Sequence, residues 1–179
     1  MLYVALLRGV NVGGANKVDM ATLRFAFEAI GLTSVRTYIN SGNVIFSAVR
    51  PDRVAIGRAI ERAIAAHFHR EIDVLLRDMD EMVAIAGAIP PDWSNDESQR
   101  CDVLFLWLDV DRPSILHELP LRPGVDEARY ARGAVITRVA RADARRSGLT
   151  RLIGSPMYRR MTIRNCNTAR RLAAMIDEA

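Results

Sequence analysis

Residues 2–7 read Leu-Tyr-Val-Ala-Leu-Leu, an apolar run that does not alternate with polar residues. Successive side chains of a strand point to opposite faces, so this run is a strand only where both of its faces are covered. The second half of the chain, or the linker before it, is expected to close the sheet to which this strand belongs.

The following segments supply the rest of a sheet-and-helix unit. Residues 8–16 (Arg-Gly-Val-Asn-Val-Gly-Gly-Ala-Asn) form a loop by their glycine and asparagine content. Asp19 can cap a helix whose apolar face is Met20, Leu23, Phe27 and Ile30, ended by Gly31. Residues 35–39 and 44–47 read as strands around the turn Asn40-Ser41-Gly42-Asn43. After Pro51-Asp52, Ile56, Ile60 and Ile64 recur at helical spacing, and 72–76 is a fourth strand. The order βαββαβ is that of the ferredoxin-like split unit.

The same order then recurs more weakly. A connecting helix over 78–88 and a Pro-Pro linker precede a strand at 102–108, a short helix at 112–119 and a hairpin around Gly133. A helical turn at 148–153, a short strand at 161–164 and a helix at 165–176 complete it. The expected fold class is α+β. Two ferredoxin-like subdomains, 1–77 and 102–179, stand in tandem, joined by the helix and linker of 78–101, with the C-terminal helix ending the second. Trp93 is expected to staple the linker to the core, and Trp107 to be core by its strand.

Charge narrows the function classes. Residues 1–120 carry a net −4, whereas 121–171 hold 13 arginines against three acids, a net +10. Such asymmetry can mark a polyanion surface. These arginines lack the interleaved aromatics on which single-strand binders stack bases, so nucleic acid is the second reading. No run reaches the roughly 18 apolar residues of a membrane span, and the N-terminus lacks the basic region of a signal peptide. With only two cysteines, Cys101 and Cys166, a cytoplasmic protein without a disulfide framework is expected.

Topology brings two motifs together. In a βαββαβ unit the first and third strands are central neighbours, and the right-handed crossover makes the first two strands parallel. The loop after strand one and the turn between strands two and three then leave the sheet at one end. Arg8 and Lys17, the one lysine beside 24 arginines, would supply charge there. Gly13 and Gly14 would allow close backbone approach, and Asn11, Asn40, Ser41 and Asn43 neutral hydrogen bonds. Such a rim is an anion-binding nest. Arg164 and Asn165 are candidates to join it if the last helix folds back. The glycine spacing matches neither the dinucleotide fingerprint nor the P-loop.

Other chemistry is sparse. His67 and His69, two residues apart near a helix end, point about 200° apart and make poor shared ligands. Neither a metal site nor a cofactor is expected. The third strand carries one aromatic, Phe46, where an RNA-recognition module needs an aromatic run.

The stretch Leu7-Arg8-Gly9-Val10-Asn11-Val12-Gly13-Gly14, with Asn16-Lys17-Val18, resembles the opening of domain-of-unknown-function family 1697, an uncharacterised, mainly bacterial family. Residues 35–44 (Val-Arg-Thr-Tyr-Ile-Asn-Ser-Gly-Asn-Val) and 162–168 (Thr-Ile-Arg-Asn-Cys-Asn-Thr) look like its second and third signatures. The resemblance implies two ferredoxin-like subdomains and no established activity. Ala15 stands where the family often has lysine, removing a cation from the rim. Cys166 replaces the usual tryptophan and can pack as a small hydrophobe. The leading expectation is a protein that binds a small phosphate- or carboxylate-bearing ligand. An enzyme acting on a phosphorylated metabolite is the third reading.

Overall fold

The structure, a computed structural model, describes residues 1–11, 17–49 and 52–178. It divides into two units, Met1–Asp80 with Met175–Ala179, and Glu81–Ala174. Each holds a four-stranded antiparallel sheet in a mixed α+β arrangement.

The first unit runs β1 (Leu2–Leu7), α1 (Met20–Ala29), β2 (Thr33–Tyr38), β3 (Asn43–Ser47), α2 (Arg53–Phe68) and β4 (Val74–Asp78). Its strand order is β2-β3-β1-β4. Both helices start where an aspartate can satisfy the free amides of the first turn. Asp19 accepts from Thr22 N (2.7 Å) and Asp52 from Ala55 N (2.9 Å), caps worth ~1 kcal/mol each. Leu23 and Phe27 of α1 and Ile60 and Ile64 of α2 share one core with Tyr3, Ala5, Leu7 and Phe46. Phe46 stacks on Tyr3 at 5.7 Å and meets Phe27 edge-on at 5.5 Å. Val4 and Leu6, on the other face of β1, are also fully buried. Both faces of β1 are thus closed, and the exposed aromatic sheet of an RNA-recognition module is absent from this strand.

α3 (Met79–Gly87) spans the boundary between the units. The second unit continues with β5 (Gln99–Leu106), α4 (Ile115–Glu118), β6 (Glu127–Ala131), β7 (Ala134–Ala140), β8 (Met161–Asn165) and α5 (Cys166–Asp177), in the order β6-β7-β5-β8. The first unit lays helices of ten and sixteen residues on its sheet. Here the crossovers hold only the four-residue α4 and 3-10 turns at Leu108–Val110, Arg141–Arg146, Gly148–Arg151 and Met157–Arg160.

One expectation is corrected. β5 ends at Leu106, so Trp107 lies outside the strand and Leu108 is exposed. The apolar run continues into the turn at Leu108–Val110, where the backbone leaves the ladder. Trp93 does anchor the linker: it is buried, with the Arg129 guanidinium 5.4 Å from its ring. Arg170 of α5 donates to the Trp93 and Pro90 carbonyls at 2.8 and 2.9 Å. Cys101 and Cys166 are buried free thiols. Their mutual hydrogen bond, with burial, pushes the Cys101 thiol up. Among the described residues no helix is long and apolar enough to cross a membrane, and no acid, histidine and cysteine cluster could hold a metal ion.

Candidate functional site

The end of β1 and the start of β3 lie side by side, with Leu6 opposite Asn43. Leu7 N donates to Gly42 O at 2.8 Å, carrying the ladder into the turn. The loop after β1 and the turn before β3 therefore meet at one sheet end, as the crossover argument requires.

Asn11 locks them. Its Nδ2 donates to Asn40 O (2.7 Å) and Val18 O (3.0 Å), while its Oδ1 accepts from Val18 N (2.8 Å). One carboxamide thus joins the beginning of the loop, its end and the neighbouring turn. Val10 and Val18, both buried in the core, anchor the loop on either side of this clamp. Lys17 is exposed and Arg8 half-buried, one close to each of the tied residues Val18 and Asn11. Asn40 is exposed and Ser41 half-buried on the turn. Gly13 and Gly14 lie outside the described residues.

Two candidate residues also have structural duties. Asn11 spends both ends of its carboxamide on backbone. Asn43 is fully buried and donates to Tyr38 O (3.1 Å), closing the hairpin from within. Residue type and spacing cannot tell an amide that faces a ligand from one that ties down its own loop.

Ile39, expected as the last residue of a strand, lies past the end of β2 at Tyr38 and is the unusual residue of the turn. Its φ is +47°, in the left-handed region that a β-branched side chain rarely enters, and it is 47% exposed. That conformation costs ~1–2 kcal/mol, and such outliers gather at functional sites. Asparagine tolerates the region better. Ile39→Asn should therefore raise stability by roughly 1 kcal/mol in urea denaturation. A loss of stability would mean that contacts of the isoleucine outweigh its strain.

Arg164 and Asn165 belong to the second unit. Burial of the Arg164 guanidinium lowers its pKa to about 10, and it donates to Thr162 Oγ1 and Ile163 O at 2.9 and 2.8 Å. Asn165 Oδ1 accepts from Thr168 N (2.8 Å) and so caps α5. The arginine-rich part is also tied to its own acids, through Arg138–Glu127 (2.5 Å) and Arg146–Asp143 (2.6 Å).

Asp102 of β5 is a half-buried carboxylate of this unit. Burial raises its pKa, and Arg100, whose Nε lies 2.6 Å from Oδ2, together with Arg141 offsets only part of that. A carboxyl with a folded pKa above its unfolded value favours folding at low pH and loses that contribution as pH rises through the folded value. Charged Asp102 thus opposes folding at neutral pH. Asp102→Asn should melt higher than wild type at pH 7, and the gain should shrink as pH falls toward 3.8, the ordinary value of the group. A gain independent of pH would contradict this.

Comparison with known proteins places the whole chain. A family model described as "Protein of unknown function (DUF1697)" matches residues 1–136. The solved structure titled "The structure of conserved bacterial protein SP0830 from Streptococcus pneumoniae" is similar with a TM-score of 0.81 and 31% identity, covering 98% of each chain. A search of curated proteins finds no match.

Proposed function

The chain belongs to the DUF1697 family of proteins of unknown function, and from that premise we propose that it is a cytoplasmic small-anion-binding protein whose ligand carries a phosphate or carboxylate. The strand orders β2-β3-β1-β4 and β6-β7-β5-β8 support reading both units as ferredoxin-like. In such a unit the loop after the first strand and the central turn form a common rim. The buried free thiols fit a reducing compartment.

The observation that carries the proposal is the Asn11 clamp, which ties Asn11 and Val18 to each other and Asn11 to Asn40, bringing Arg8 and Lys17 to the turn that carries Ser41. Groups already tied to one another, as Asn11, Val18 and Asn40 are, spend little ordering entropy on binding. Lys17 brings a mobile ammonium and Arg8 a planar fork. Asn40 and Ser41 add neutral hydrogen-bonding groups, and Ile39 an apolar edge. The closed faces of β1 argue against a nucleic-acid sheet platform. An enzymatic reading would need a general base within reach of the bound anion.

Thermal unfolding with and without inorganic phosphate tests the reading. Phosphate should raise the wild-type midpoint by mass action. Lys17→Ala should lose most of that rise while its phosphate-free stability changes by less than ~1 kcal/mol, as befits an exposed charge. Lys17→Arg should recover part of the rise. Equal phosphate shifts in wild type and Lys17→Ala would remove Lys17 from the site.

A further inference from the structure

The thin cover of the second sheet leaves space over one of its faces. A cavity of about 250 Å³ opens between the sheet and the 3-10 turns that replace a crossover helix. Its floor is Asp102 and Leu104 of β5, Thr137 and Val139 of β7, and Ile163 of β8. The register explains this floor, since Asp102 pairs with Thr137 and Leu104 with Ile163, so these side chains share one face. Leu149, Leu152 and Tyr158 supply the opposite wall, and Ile153, also lining it, is 70% exposed. A partly open, mainly apolar space whose floor carries the half-buried Asp102 carboxylate, ion-paired to Arg100 (2.6 Å), has the form of a small-molecule site.

A second depression of about 490 Å³ lies beside it and shares Ser147 and Thr150 with the cavity. Its sides carry Arg122, Arg145, Arg146 and Arg151. Asp126 holds the common wall in place: it accepts from Ser147 Oγ (2.5 Å), Gly148 N (2.8 Å) and Arg122 N (2.8 Å). An apolar chamber thus adjoins a depression lined by four arginines, of which Arg146 is paired to Asp143; guanidinium groups match phosphate oxygens in pairs.

We propose that the second unit binds a phosphate-bearing small molecule with a ring-sized, amino-bearing body, of the nucleoside monophosphate class. The body fills the chamber between Leu104, Ile163 and Leu149. An amino group on it donates to the Asp102 carboxylate, and the phosphate meets Arg145 and Arg151. The site is separate from the rim of the first unit and stands without it.

Isothermal titration with adenosine monophosphate, adenosine, ribose 5-phosphate, inosine monophosphate and inorganic phosphate tests each part. Adenosine monophosphate should bind tightest. Adenosine, without the phosphate, and ribose 5-phosphate, without the base, should each be at least roughly tenfold weaker. Inosine monophosphate, with a carbonyl in place of the amino group, should also bind less tightly. The exposed pair Arg145→Gln/Arg151→Gln should weaken adenosine monophosphate roughly tenfold and leave thermal unfolding unchanged. Ala144→Phe, which fills the chamber, should abolish binding; if that variant does not fold, the arginine pair decides. Adenosine monophosphate binding no tighter than inorganic phosphate overturns the proposal. So does binding that Lys17→Ala removes and the arginine pair keeps, because it places the anion at the rim.

Discussion

Gly148→Ala is expected to collapse the second unit's stability. A Cβ at this position would lie 1.7 Å from Pro120 O and 2.9 Å from its carbonyl carbon. Both are backbone atoms, so no side-chain rotation relieves the overlap. Separating the segments also breaks the bonds that Asp126 makes to Gly148 N and Arg122 N. Overpacking of this severity, with buried hydrogen bonds lost, costs at least ~3 kcal/mol. In a chain of this size the melting point then falls by roughly 6–12 °C. Both tryptophans, Trp93 and Trp107, lie in the second unit, so their fluorescence reports the transition directly. Gly87→Ala is the control: nothing lies within 4 Å of its added methyl, and it should be neutral or gain ~0.4–1 kcal/mol. Equal midpoints for the two variants would contradict the packing described here.

Gly42→Ala should damage the first unit nearly as much. Gly42 has φ +68°, and a Cβ there would sit 2.5 Å from Val10 Cγ2 and 2.7 Å from Leu7 Cβ. The left-handed conformation costs an L-residue ~1–2 kcal/mol, and the clash with buried side chains adds ~1–3 kcal/mol. Gly9→Ala separates the two effects. Gly9 has φ +67° but nothing within 4 Å, so only the conformational part should appear. Urea denaturation followed by far-UV circular dichroism should give a loss of about 2–4 kcal/mol for Gly42→Ala and about half that for Gly9→Ala. Gly42→Ala should also weaken the phosphate response, because Leu7 and Val10 position the clamped loop.

The elements of the first unit were legible because local and tertiary signals agree there. Asp19 and Asp52 announce their helices, and the apolar run of β1 demands cover on both faces. The meeting of loop and turn follows from chain topology alone, and the Asn11–Asn40 bond fulfils it. What stayed hidden depends on where side chains point. Asn11 and Asn43 look like ligand groups by type, yet their amides are bonded to the chain's own backbone. The left-handed Ile39 has no signature in an Ile-Asn-Ser-Gly turn. The end of β5 was misplaced because Trp107 and Leu108 prolong an apolar run past the last ladder bond. The contact between Cys101 and Cys166, and the chamber over Asp102, join segments distant in sequence, which no local pattern encodes.

The central claim is that an anion sits where Asn11 and Val18 meet the turn at Asn40. The most direct measurement is a titration of the 15N-labelled protein with inorganic phosphate, following every assigned backbone amide. The account predicts saturable shifts concentrated at residues 8–18 and 39–43, absent from the same amides in Lys17→Ala. Phosphate shifts confined to other residues, or none at either segment, would contradict it.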